Sequence, residues 1–489
     1  MALSNNFYTF AAKNYFYKTM IGRKEEQTEL QQVVESKQSE FVAVFGRRRV
    51  GKTFLIREFF NNKFAFYHTG IANSNMTVQL NSFSKSLNNF SKILVPKCKT
   101  WFEAFENLVR LLKNSRIKGK KVVFIDEMPW MDTHKSGFVS ALEWFWNSFA
   151  STQKDVILIV CGSASSWVMN KIIKNHGGLH NRVTQQIYLK PFNLMECEQL
   201  FTENGVSLNR HQILESYMIF GGIPYYLSLF QKRFGLSQNV DNLCFKEKGK
   251  LTDEFENLYA SLFKNYDKHI AIVKALSTKK KGLFREEIIE TSKISNGGGL
   301  TRTLEELELS GFIRRYNSFE KREKNTIYQL VDFFTLFYFN FMYNKLENDE
   351  HFWTNSIENA RHRAWSGYGF EQVCLAHLPQ IKQKLSIAGV LTRTASWRSN
   401  DKENAAQIDL LIERNDKVIN LCEMKYASEE FVIDKKYDET LRNKRGIFRA
   451  QTKTKNAIHI TFITTYGIKH NEYWGNIQSE VVMADLFAC

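Results

Sequence analysis

Gly46 and Gly51 stand five residues apart and Lys52 and Thr53 follow at once, which gives the spacing G-x-x-x-x-G-K-T. A stretch of this kind can wrap backbone around a chain of phosphates. The glycines allow a tight turn whose N–H groups point inward. Lys52 then reaches for the terminal phosphates, and the Thr53 hydroxyl offers a ligand to Mg²⁺. Arg47, Arg48, Arg49 and Val50 lie between the glycines and Phe54 just beyond, completing the loop expected to hold ATP. The apolar run from Phe41 to Phe45 reads as a strand. The run after Thr53 reads as a helix whose N-terminus favours an anion. A plain strand-to-helix turn rich in Gly and Lys has the same local look, so a second half of the site has to decide.

That half is Val122-Val123-Phe124-Ile125-Asp126-Glu127, an apolar strand ending in two acids. Ligands of open α/β sheets sit at the carboxyl ends of strands, where these acids fall. Asp126 is expected to hold Mg²⁺, and Glu127 to orient and polarise the attacking water. Binding alone needs no second acid, so Glu127 points to hydrolysis. A third apolar strand, Val156 to Cys161, runs into Gly162 and Ser163, and Ser163 is the candidate sensor of the γ-phosphate. Ser165 or Ser166 in the same stretch can equally be a helix N-cap. Arg182 follows a glycine-rich turn and is a candidate arginine finger, or else an ordinary surface charge.

A second constellation lies near the C-terminus. Asp409 sits in the apolar run Ile408-Asp409-Leu410-Leu411, and Glu423 and Lys425 in the returning run Leu421-Cys422-Glu423-Met424-Lys425. Alternation along a strand puts Glu423 and Lys425 on one face, and a hairpin can bring Asp409 beside them. Two carboxylates and a lysine at one point can hold a divalent metal and steer a water at a phosphodiester. Glu371, on a preceding helix, is a further candidate ligand. Hairpins often display such charges without function. Here, however, the acids stand within apolar strands, where an unpaired charge is costly.

The elements that must position these groups follow a simple order. Strands at 41–45, 64–67, 122–125, 156–160 and 186–189 alternate with helical stretches such as 101–113 and 138–150, the pattern of a parallel α/β sheet. The expected division is a P-loop ATPase core over 1–195 and a helical lid over 196–260. A winged helix-turn-helix follows over 261–335, a connecting helix over 336–360 and a C-terminal α/β domain over 361–489. In the winged helix, Thr301, Arg302 and Thr303 are offered to a DNA major groove and Lys321, Arg322 and Lys324 to phosphates, unless the unit is a protein-docking module.

Composition bounds the rest. A chain of 489 residues is too long for one core, and 40 Phe with 19 Tyr can fill several. A formal charge of +16 suits a polyanion such as DNA. Seven scattered Cys form no C-x-x-C pair, so neither a zinc knuckle nor a disulfide framework is expected. The greasiest run, Phe333 to Met342, is too short to span a membrane, which predicts a cytoplasmic protein without a membrane partner.

The phosphate loop, Ile125-Asp126-Glu127, the Gly221-to-Tyr226 stretch (Gly-Gly-Ile-Pro-Tyr-Tyr) and the early Ile21-to-Glu26 stretch (Ile-Gly-Arg-Lys-Glu-Glu) resemble the archaeal-type ATPase family. That family is a group of STAND/AAA+-like P-loop NTPases that is also widespread in bacteria. The resemblance covers essentially the whole chain. It implies an ATPase, a winged helix and a C-terminal domain similar to PD-(D/E)XK nucleases, that is, a restriction-endonuclease-like α/β fold. It also implies that Asp409, Glu423 and Lys425 match the nuclease motif, with Glu371 as the helical acid. The segment from Ile21 to Glu26 would lie near the adenine base. The expected function is an ATP- and Mg²⁺-dependent ATPase that controls a metal-dependent DNA nuclease in DNA processing or defence. The alternatives are a STAND-type switch that binds DNA or a protein trigger without cutting, and a nucleotide-driven transcription regulator. Related ATPases often assemble into homo-oligomers.

Overall fold

The computed structural model describes residues 20–91, 94–317, 319, 326–343, 349–357, 359–399 and 406–488. Its first sheet contains β1 (Glu40–Phe45), β2 (Phe66–Thr69), β3 (Lys121–Asp126), β4 (Val156–Gly162) and β5 (Gln185–Tyr188) in the order β2-β3-β4-β1-β5. Every pairing is parallel. Strands buried on both faces read as continuous apolar runs, and β1 and β4 do so because helices cover each side. Phe41, Ala43 and Phe45 enter one core, while Val42 and Val44 enter the other. The order has a consequence for chemistry: β4 lies between β1 and β3, so its carboxyl end emerges between the phosphate loop and the two acids.

Short helices from Leu194–Glu203 to Glu254–Leu262 pack over the carboxyl ends of this sheet. Three helices (Tyr266–Ser277, Arg285–Ser292 and Gly298–Leu309) then accompany a small antiparallel sheet of β6 (Leu283–Phe284), β7 (Ile313–Asn317) and β8 (Thr326–Leu330), ordered β6-β8-β7. A further sheet holds β9 (Thr392–Arg398), β10 (Gln407–Arg414), β11 (Val418–Lys425), β12 (Ala457–Thr464) and β13 (Ser479–Val482), ordered β13-β12-β11-β10-β9. Helix Ala360–Ala376 packs on β11, and helix Lys435–Thr452 places Phe448 against the opposite face of the sheet, with Leu411 and Leu421. One apolar cluster runs without a break from Val42 through Phe220 and Phe334 to Phe370, so the ATPase core and the C-terminal sheet share a core. Among the described residues no helix is long and apolar enough to cross a membrane.

Candidate nucleotide site and a charged C-terminal cleft

The phosphate loop is built as its spacing requires. Gly46 has φ +143°, and a Cβ there would stand 2.3 Å from the Leu189 carbonyl oxygen. Gly51 has φ +93° and opens helix Lys52–Phe59, whose first N–H groups have no intrahelical acceptor. Lys52 is 5% exposed and donates to the carbonyl oxygens of Gly46 and Arg47, each at 2.9 Å. Burial lowers its pKa, and among the described residues no carboxylate lies within ion-pair distance of it. A buried ammonium held only by carbonyls fits an anionic ligand. Thr53 Oγ1 donates to Asp126 Oδ2 at 2.6 Å, which brings the two predicted Mg²⁺ ligands together. Burial is the chief cause that raises the Asp126 carboxyl.

Glu127 sits at φ +48°, a left-handed conformation that a non-glycine residue adopts only when its surroundings demand it. Its carboxylate accepts from the Ser163 hydroxyl and, at 3.2 Å, from the Ser163 N–H. The strand order explains the meeting, since Ser163 leaves β4 beside β3. Ser165 caps nothing: its hydroxyl is buried and unpartnered, and the short helix Ser165–Trp167 has no side-chain cap. A cleft of about 1080 Å³ joins Lys52, Thr53, Glu127 and Ser163 to Ile21 and Tyr225. Arg23 braces it by donating to the carbonyl oxygens of Val50 (3.1 Å) and Lys190 (2.7 Å). Val50, Arg48, Arg49 and Phe54 also line this cleft, whereas exposed Arg182 does not.

The Arg47 side chain takes no part in lining the cleft. Its guanidinium points away from the cleft and is 3% exposed, between the rings of Phe312 (5.6 Å) and Tyr226 (5.9 Å). It meets Asp332 at 2.5 Å as a charge contact, without the alignment of a hydrogen bond, and its Nε and Nη1 have no acceptor. Arg49 is likewise engaged. It donates to Glu254 at 2.5 Å and stacks on Tyr225 at 4.1 Å, while the Tyr226 hydroxyl donates to the other Glu254 oxygen at 2.7 Å. Sequence reasoning missed Glu254 and Asp332, which lie about 200 residues or more from the loop and carry no local signal. The Gly221-to-Tyr226 break was visible, but its aromatic role was not.

The winged-helix candidates fare unevenly. Thr303 is 6% exposed and its hydroxyl donates to the Gly299 carbonyl, so it cannot read a groove. Arg302 is paired with Glu306 at 2.9 Å, and the helix packs against Ser165–Trp167 of the ATPase core as well as against β7 and helix Tyr266–Ser277. Phe319, beyond β7, donates its N–H to Ser396 of β9 and is buried with Trp397 and Phe448. Lys321, Arg322 and Lys324 lie outside the described residues.

The three C-terminal acids do not form one centre, which corrects the expected metal set. Ile408 and Leu411 pack with Phe448 on one face of the sheet, while Leu410 and Ile412 pack on the other. A regular strand cannot put 408 and 410 on opposite faces, and the β9–β10 register shifts between Ile408 and Leu411. The bulge sends Asp409 into a cleft with Glu371. Glu423 instead faces helix Lys435–Thr452, paired with Lys444 and accepting from the Tyr437 hydroxyl at 3.2 Å. Lys425 lies over the Tyr437 ring. Among the described residues no three acids, histidines or cysteines converge as a metal site, so this arrangement does not fit a three-carboxylate metal centre.

Burial first, then the Asp409 charge, pushes the Glu371 carboxyl up from 4.5 to about 7. The folded state therefore holds this proton more tightly than the unfolded chain does. The cost of ionising it is absent below about pH 4.5 and grows until about pH 7. Glu371→Gln escapes that cost. In urea unfolding, its stability relative to wild type should rise between pH 5 and pH 7.5; a pH-independent difference would refute the shift.

A parallel sheet with a phosphate loop at one strand end and Asp-Glu at another defines the class of P-loop NTP hydrolases. Residues 20–230 match a family of ATPase domains found predominantly in Archaea. An uncharacterized protein of Methanocaldococcus jannaschii is 23% identical over 410 residues, 83% of this chain and 87% of that one. Among solved structures, a Walker-type ATPase of Pyrococcus abyssi is 19% identical and covers 66% of this chain and 96% of its own, with a TM-score of 0.48. The ORC2 protein of Aeropyrum pernix, solved with ADPNP and ADP, is 12% identical over 67% of this chain and 95% of its own, with a TM-score of 0.41.

Proposed function

We propose that this chain is an ATP-hydrolysing switch whose nucleotide state is passed to a winged helix at 261–335 and a nuclease-like domain at 361–489 that engages DNA without cutting it. In this reading Lys52 binds the terminal phosphates, Thr53 and Asp126 hold Mg²⁺, and Glu127 orients water once Ser163 releases it. When bound, Mg²⁺ supplies charge neutralisation at the phosphates. The 196–260 helices act as the lid, carrying Tyr225, Tyr226 and Glu254 against the phosphate loop. Arg182, exposed and outside its own cleft, would serve the nucleotide of a second copy, and a protein trigger would set the resting state.

One observation favours a switch over an active nuclease. Glu423 is paired with Lys444 of helix Lys435–Thr452 while Asp409 lines the cleft with Glu371, and among the described residues no three acids converge as a metal site. The test is incubation of the full chain with labelled single- and double-stranded DNA, ATP and either Mg²⁺ or Mn²⁺. Binding with no strand scission beyond that of an Asp409→Asn control is expected. Scission that Glu423→Gln abolishes would restore the nuclease reading.

A further inference from the structure

The cleft that holds Glu371 and Asp409 is lined by more cations than acids, and most of those cations come from elsewhere in the chain. It measures about 700 Å³ and opens between the β6-β8-β7 sheet and the β9–β10 edge. Lys280 and Lys281 enter from the turn before β6, Arg398 from the end of β9, and Arg314 from β7. Among the described residues none of these four has a carboxylate within ion-pair distance, unlike their neighbour Lys279, which is paired with Glu287 at 2.6 Å. The turn is fixed in place. The Tyr368 hydroxyl donates to the Lys280 carbonyl (3.0 Å) and the Tyr316 hydroxyl to that of Lys281 (2.6 Å), while Lys280 Nζ reaches the Ala364 carbonyl (3.0 Å). The two ammonium groups are thus carried by one element and presented over the helix and sheet of another. The ring of Phe284, 38% exposed, stands at the rim.

Four cations against two acids leave a net positive cleft, and a volume of this size suits about one or two nucleotides but no duplex. We propose that this cleft binds a single DNA strand, with Lys280, Lys281 and Arg398 on its phosphates and Phe284 beneath a base. The assignment rests on the reading that the chain engages DNA, and it locates that engagement on a surface shared by the winged helix and the C-terminal sheet. Cations that grip a backbone give affinity without sequence preference and with strong salt dependence.

The test measures fluorescence anisotropy of a labelled single-stranded 20-mer with the full chain at three salt concentrations and no divalent metal. The variants are Lys280→Ala/Lys281→Ala and, as a charge-matched control in the ATPase core, Lys118→Ala/Lys174→Ala. The cleft variant is expected to bind at least tenfold more weakly. Its log–log salt slope should be shallower by about 1.4, two contacts at about 0.7 each. The control should lose less than twofold, and ATP turnover in both should stay near wild type, which certifies the fold. Equal losses in both variants, or none in either, would overturn the cleft while leaving DNA engagement intact. A wild-type chain that fails to bind the oligonucleotide would overturn the underlying reading and the cleft with it.

Discussion

Replacing Lys52 by methionine is expected to lower ATP turnover at least 100-fold with the fold retained. Lys52 is buried beneath the phosphate loop, and its ammonium is held by the carbonyl oxygens of Gly46 and Arg47. A preorganised donor aimed at developing charge typically contributes about 10²–10³ in rate. Arg48 and Arg49 also line the cleft, but Arg49 is committed to Glu254 and Tyr225. Methionine keeps the aliphatic packing of the lysine stem, so thermal unfolding should move little while phosphate release collapses. Steady-state turnover within tenfold of wild type would remove Lys52 from the chemistry.

Asp332→Asn should destabilise the protein by about 3–5 kcal/mol, the usual cost of removing one partner from a buried ion pair. Arg47 has no alternative. Its Nε and Nη1 lack acceptors and its flanks are aromatic rings; burial, the largest influence, opposes its ionisation, and only Asp332 together with Tyr226, Tyr259 and Glu254 holds it charged. Asparagine keeps the side-chain oxygen that caps helix Phe333–Phe337 through the Thr335 N–H at 2.9 Å, so the loss reports the charge rather than the cap. The double variant Arg47→Met/Asp332→Asn should recover much of the stability, because an unpaired buried cation is worse than none. The loop would then no longer be tied to the start of helix Phe333–Phe337. Urea midpoints of the two variants decide the matter; an Asp332→Asn midpoint equal to wild type would refute the stabilising role of the Arg47–Asp332 pair.

These two sites show where the sequence is sufficient. The loop at 46–53, the strands feeding it and the Asp-Glu pair are local properties. A β-branched run of five or six residues buries itself in a sheet, and glycines at fixed offsets allow the positive φ values that the turn needs. The C-terminal hairpin was equally legible, since 407–412 and 418–426 became β10 and β11 with ends shifted by two residues or fewer. What no local pattern carried was direction and partnership. Arg47 and Arg49 are near neighbours in the chain, yet one faces Asp332 and the other Glu254, because the packing of distant helices decides which charge each can reach. Period-two alternation likewise puts Ile408 and Leu410 on one face, yet a single bulge in the register against β9 sends them to opposite faces and breaks the alternation at Asp409. The length and place of its helix offer Thr303 to a DNA groove. Tertiary packing of that helix instead buries Thr303, whose hydroxyl donates to the Gly299 carbonyl. Sequence determined which chemistries this chain can assemble. Tertiary structure decided which of the charged groups meet, because that depends on contacts between segments hundreds of residues apart.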